Sequence, residues 1–256
     1  MSPEPRDKPA PGGGFAAAIE ARGLARSFGA VGALEPLELT VRAGESVLLL
    51  GPNGAGKSTL LRLLATLLRP TSGSLRLFGE SPGSGEAALR RRIGFLSHQT
   101  FLYDHLTGRE NLLFYGRLYG LPDPRGAAEE ALRSARLLPR GGDCVGTYSR
   151  GMQQRLAIAR ALLHRPELVL LDEPFTGLDR ESARHLESRL REEAALGRTQ
   201  VIATHDYGRS LGSSDRVLLL RDGVVALDRK AREVEPREIE ALLEGTPPAG
   251  PVRRDS

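Results

Sequence analysis

No stretch of this 256-residue chain approaches the run of about 18 apolar residues that a membrane span needs, so the chain does not cross a bilayer by itself. Cys144 is the single cysteine, which excludes an internal disulfide framework and fits a reducing cytosol. The five histidines are scattered without metal-ligand spacing, and no structural zinc is expected. Arginine supplies much of the positive charge, yet no compact basic tract is interleaved with aromatics, so no nucleic-acid partner is expected. There is no internal repeat. Met1 to Gly14 has no apolar core, which excludes a secretory signal or transit peptide. Its four prolines and three consecutive glycines read instead as a disordered leader over residues 1–15. Residues 245–256, rich in Pro and Gly, read as a flexible tail.

What remains is globular in texture, with 27% charged and 40% hydrophobic residues and a net charge of +4. That charge fits ordinary solubility, and equally a preference for anionic lipid or an acidic partner. Ala17 to Ala21 and Leu37 to Val41 read as short strands, the second alternating as a half-buried edge does. Val47-Leu48-Leu49-Leu50 is apolar on every side, as in a central strand covered on both faces. It runs into a glycine-rich loop, and a helix over Ser58 to Leu68 follows. Further strands are predicted at Leu75 to Phe78, Ile93 to Leu96, Leu168 to Leu171 and Thr199 to Ala203. Asp222-Gly223 between two apolar runs marks a hairpin. Thr107 with Glu110 three residues later forms a capping-box pattern that opens a helix to about Tyr119. Further helices are predicted over Ala127 to Leu137, Met152 to Leu163, Arg180 to Leu196, Asp206 to Leu211 and Pro236 to Leu243. The pattern is an α/β core interrupted by an all-helical insert over roughly residues 100–160.

Gly51-Pro52-Asn53-Gly54-Ala55-Gly56-Lys57-Ser58, extended by Thr59, carries the G-x-x-x-x-G-K-[ST] spacing in a strand–loop–helix context. Glycines let successive backbone N–H groups converge on phosphate oxygens, and the following helix adds its unpaired N-terminal donors. Lys57 is suited to the β- and γ-phosphates, and the Ser58 hydroxyl to magnesium. Asp172 ends a buried strand and fits either a helix cap or a magnesium ligand. Glu173 follows it with no partner of opposite charge in the local sequence, and is the candidate for polarising the attacking water. His205 lies past the end of a third strand, where open α/β sheets put ligands, and is suited to the γ-phosphate. Gln99 holds the equivalent position after its own strand, with an amide that can ligate magnesium or bridge to water.

With these landmarks in order, residues from about Ile19 to Leu243 resemble the ATP-binding subunits of ABC transporters. The phosphate loop, Gln99, the strand end Leu168–Glu173, Thr176-Gly177-Leu178-Asp179 and His205 each match a family element. Tyr148-Ser149-Arg150-Gly151-Met152-Gln153-Gln154-Arg155 matches the family's signature loop. The resemblance implies a P-loop NTPase core in residues 16–244, with a mostly parallel sheet, an N-terminal antiparallel β region and the helical insert. It implies ATP and Mg2+ as cofactors and a second ATP-binding subunit, giving a homodimer packed head to tail. Ser149 and Gly151 would then reach the γ-phosphate across the interface, Asp179 would couple the two sites, and Phe28 would stack on adenine unless it is a core aromatic. Tyr148, Arg150 and Met152 depart from the commonest signature, which holds Leu, Gly and Gln there. Arg150 puts a charge near either a partner-bound phosphate or a neighbouring carboxylate.

The short chain and the run Tyr148–Met152 further resemble exporters with separate membrane subunits. Glu173-Pro174-Phe175-Thr176-Gly177-Leu178-Asp179 looks like the ATPase of the haem exporter of cytochrome c maturation, and drug, lipid or polysaccharide exporters share the rest. The implied partner is an integral membrane permease, which would meet the insert and the Gln99 region. Phe101, Leu102 and Tyr103 would serve there, or else as core. The expected location is peripheral, on the cytoplasmic side of the cell membrane.

Overall fold

The computed structural model describes residues 17–83 and 86–244. The expected leader and tail, together with Ala16, lie outside them. Strands β1 (Ala17–Phe28) and β2 (Val31–Arg42) form a long antiparallel hairpin, and β4 (Ser72–Leu77) pairs with the other side of β1. Each of the first two strands runs to 12 residues, well beyond the apolar stretch visible in the sequence. The added length comes from bulges: the β1–β2 register shifts between Ala21 and Leu24, around Gly23 at φ 57°. Pro36 is tolerated because β2 is an edge of this three-stranded sheet.

A second sheet runs β5 (Ile93–Leu96), β6 (Leu168–Asp172), β7 (Thr199–Ala203), β3 (Ser46–Leu50), β8 (Arg216–Arg221) and β9 (Val224–Lys230). Its first five strands are parallel and β9 is antiparallel. Every residue of β3, β6 and β7 is buried, which is why their sequences show no alternation. Asp222 and Gly223 both adopt positive φ (50° and 77°), as a type I′ hairpin turn demands. Because β7 lies between β3 and β6, the loops after all three open side by side at one sheet edge.

Helix α1 (Lys57–Leu64) buries Leu60, Leu61, Leu63 and Leu64 against the sheet. The short α2 (Glu86–Arg90) was not anticipated; Arg90 anchors it by donating to the Thr66 carbonyl at 2.8 Å. The insert comprises α3 (Gly108–Leu118), α4 (Pro124–Ser134) and α5 (Arg150–Leu162), with a core of its own around Leu112, Leu132, Val145, Tyr148 and Leu156. Truncating a fully buried leucine such as Leu112 to alanine costs on the order of 2–5 kcal/mol. Both halves of the Thr107–Glu110 capping box are present. Returning to the main sheet, α6 (Arg180–Ala195), α7 (Tyr207–Ser210) and α8 (Pro236–Glu244) complete the described α-helices.

Candidate functional site

A cleft of about 750 Å³ opens where the ends of β3, β6 and β7 meet, lined by all of Gly51–Thr59 together with Asp172, Glu173 and His205. The loop can take its shape only with glycine. Gly51 has φ 147°, and a Cβ there would collide with the Leu220 carbonyl. Gly56 caps α1 in the left-handed region (φ 99°), and a Cβ would meet the Ala33 carbonyl at 2.6 Å. With no side chain closing its N-terminus, α1 keeps its first N–H groups for an anion. Lys57 Nζ donates to the carbonyls of Gly51 (2.5 Å) and Pro52 (2.9 Å), two of the three bonds an ammonium can make. Burial lowers the Lys57 pKa, opposed by the nearby charges of Glu173 and Asp172.

Asp172 is the last residue of β6 and only 3% exposed. It caps no helix, since α6 begins eight positions later and is capped by Asp179. Glu173 holds a left-handed backbone (φ 51°), at a cost of about 1–2 kcal/mol for a residue with a Cβ. Its N–H is tied to the Ala203 carbonyl at 2.8 Å, and the conformation turns its carboxylate to the next strand end. There Oε2 accepts from His205 Nδ1 at 2.8 Å, and from the Thr204 hydroxyl at 3.4 Å. The Nδ1 proton so committed leaves Nε2 of His205, a side chain 75% exposed, for a second partner.

Among the described residues no cluster of three or more His, Cys, Asp or Glu holds a metal by itself. The Ser58 hydroxyl and the Asp172 carboxylate line the same cleft, and suit a Mg2+ that takes its other ligands from phosphate and water.

Other expected residues lie away from this wall. Ser149 is exposed at the N-cap of α5, accepting from Met152 N–H at 3.3 Å, with Gly151 in the first turn. Asp179 caps α6 by accepting from Ser182 N–H at 2.7 Å. Neither Ser149, Gly151 nor Asp179 lines the cleft. Gln99 is exposed and does not line it either; His98 occupies that stretch of the wall. Phe28 is 48% exposed with the Arg26 guanidinium 4.6 Å above its ring, so the core reading of this aromatic is set aside. Arg150 forms no ion pair among the described residues; its stem lies against Gly177, within 3.5 Å of where a Cβ would stand. Tyr148 is buried in the insert core and donates to the Arg140 carbonyl at 2.7 Å.

Several cleft residues escaped the sequence reading. Ala33, Thr204 and Leu243 come from three separate segments, and only the folded topology brings them in, beside Thr176 of the Thr176–Asp179 run. Gln154 donates to the carbonyls of Pro174 (3.1 Å) and Glu173 (3.4 Å), joining α5 to the carboxylate turn. In the sequence it stands out only as part of the run Tyr148–Arg155, with no role of its own.

The profile of the family described as ABC transporter matches residues 34–176. The phosphonates import ATP-binding protein PhnC of Anaeromyxobacter dehalogenans is 40% identical over 94% of this chain, which spans half of that protein's length. The doxorubicin resistance ATP-binding protein DrrA of Mycobacterium tuberculosis is 36% identical over 90% of this chain and 71% of its own length. Among solved structures, the dimeric post-hydrolysis state of an ATP-binding cassette bound to ADP and Pi superposes with a TM-score of 0.77. Its identity is 30%, over 84% of this chain and 99% of that one. A phosphate cradle facing a carboxylate–histidine pair across one sheet edge, with a signature helix on a separate insert, defines a class of ATPase, and the matches agree: the chain belongs to the ABC transporter family as an ATP-binding subunit. ATP and Mg2+ are the cofactors of that family.

Proposed function

We propose that this chain hydrolyses ATP as one of two identical subunits packed head to tail, and that the cycle drives export through a separate membrane permease. One observation carries the reading. The cleft collects the cradle, Asp172, Glu173 and His205 on one wall, while Ser149 and Gly151, at the anion-attracting N-terminus of α5, are turned elsewhere. A second copy supplies them. In this scheme Lys57 and the loop N–H groups hold the phosphates, and Ser58 and Asp172 hold Mg2+, with Gln99 at the edge of that set. Glu173 orients the attacking water, His205 holds the γ-phosphate, and Phe28 stacks on adenine. Asp179, beside the partner, couples the two sites.

No helix among the described residues is long and apolar enough to cross a membrane, in keeping with peripheral attachment. The attachment face is the exposed apolar surface of the insert that carries Phe101 (42% exposed), Tyr103, Phe114 and Leu118, with the Tyr103 and Phe114 rings in edge-on contact. Export is favoured by relatives named for doxorubicin resistance and Nod factor export, although others are named for import of phosphonates or iron. Haem export rests on the run Glu173–Asp179 alone, and the relatives' names do not add to it.

The test is purification from membranes in mild detergent, followed by a phosphate-release assay. The expected result is an integral membrane subunit in stoichiometric amount and Mg-ATP hydrolysis by the complex. Copurification with RNA and no membrane subunit would overturn the transport reading.

A further inference from the structure

Arg160, near the end of α5, is 5% exposed, and no carboxylate pairs with it among the described residues. Its Nη2 donates to the Phe95 carbonyl in β5 at 2.7 Å, while Nε has no hydrogen-bond partner. The guanidinium lies over the rings of Phe101 (5.6 Å) and Tyr115 (5.2 Å), and the Tyr115 hydroxyl donates to the Phe101 carbonyl. Burial works against the charged guanidinium, opposed by Tyr119 and Tyr115, by the Phe95 carbonyl and by the ring faces beneath it. Phe101 meanwhile holds a left-handed backbone (φ 55°), rare for an aromatic residue. Two unfavourable features thus meet at one contact, as they do where structure is held for function.

That contact joins three elements. β5 leads into His98 of the cleft wall, and α3 carries Tyr115. α5 runs unbroken from Arg160 back to its cap at Ser149. A helix of this length spans about 20 Å as a rigid rod, so displacement at one end is felt at the other. We propose that Arg160 is a positioning residue for ATP hydrolysis, locking the Phe95–Phe101 segment, which carries the cleft-lining His98, to α5 so that this wall of the cleft and the partner-facing Ser149 move as one body. This rests on the ATPase reading above.

The decisive variant is Arg160→Met, which keeps the volume and removes the charge. It should lower kcat at least tenfold, leave KM for ATP within threefold, and hold or raise Tm, because an unpaired buried cation is gone. A merely structural arginine would lose kcat and Tm together. Tyr115→Phe, which deletes only the hydroxyl on the Phe101 carbonyl, should lower kcat about threefold with Tm within 2 °C. Both variants are assayed as the full chain with whatever membrane subunit copurifies. Arg160→Met with kcat within twofold of wild type, or with kcat loss matched by a Tm fall beyond about 5 °C, would overturn the proposal. If Arg160→Met does not fold, Tyr115→Phe decides: an unaltered kcat refutes the coupling. A wild-type complex that releases no phosphate would instead sink the underlying ATPase reading.

Discussion

His164 sets a pH limit on the stability of the insert that can be worked out from its surroundings. The residue follows α5, its Nε2–H donates to the Ile93 carbonyl at 3.1 Å, and its ring stacks on Tyr119 with centroids 3.8 Å apart. Nδ1 is buried with no partner. Burial lowers its pKa from the ordinary 6.5 to about 4, with a smaller push from the Arg160 charge in the same direction; the Ile93 bond opposes both. Between those values the unfolded chain holds a proton that the folded chain rejects. The contribution is therefore complete above about pH 6.5 and is lost as pH falls through about 4. The full difference corresponds to about 3 kcal/mol, of which about 2 kcal/mol falls between pH 7 and pH 5. For a chain of this size that is roughly 4–8 °C in Tm. His164→Gln keeps a donor for Ile93 but cannot titrate. Thermal unfolding of both proteins at pH 7 and pH 5 should show wild type losing about 4–8 °C more than the variant. Equal losses would mean that His164 titrates normally, and the burial argument would fail.

Three further outcomes are expected. Glu173→Gln should cut phosphate release by at least about 100-fold while Mg-ATP binding persists, trapping a dimer visible by light scattering; unchanged release would remove Glu173 from the chemistry. Ser149→Arg should leave ATP binding to the single subunit within a few fold but abolish ATP-driven dimerisation, and a normal dimer would refute the shared site. Asn111, fully buried, accepts from Tyr103 N–H (2.8 Å) and donates to the carbonyls of Tyr103 and Thr107 (both 3.0 Å). Asn111→Ala strands those groups and should cost about 2–4 kcal/mol in urea unfolding; a loss below about 1 kcal/mol would show that the loop re-pairs elsewhere.

Features fixed by short-range chemistry were legible in the sequence. The phosphate loop, the Thr107 box, the Asp222-Gly223 turn and the apolar runs Val47–Leu50 of β3 and Leu168–Leu171 of β6 each need only their own few residues to declare themselves. Lengths that depend on neighbours were not. β1 and β2 extend through polar stretches because each completes the other's ladder across bulges, and α2 has five residues and borrows its anchor from Thr66. At the site, Asp172, Glu173 and His205 were visible because each ends an apolar strand. Ala33, Thr204, Leu243 and the bond from Gln154 to the carboxylate turn were not, since their proximity comes from the order of strands and from the angle of α5. His98, next to Gln99 in the chain, lines the cleft and was not singled out, because residue spacing alone does not show how the chain bends after a strand.

The β8–β9 turn has a consequence for anyone who modifies this protein. Exposed two-residue turns are ordinarily the safest places for a tag, a fluorophore loop or a circular-permutation break. Here the Gly223 N–H donates to the Ala55 carbonyl at 3.2 Å, the Gly223 carbonyl accepts from Glu35, and the Leu220 carbonyl fills the space that a Gly51 side chain would need. The turn is the external mould of the phosphate loop, more than 160 positions away in the chain. An insertion at Asp222-Gly223 would leave the nucleotide-binding sequence intact and still deform the loop, whereas the turn at Gly120-Leu121, at the end of α3, makes no such contact with the cradle.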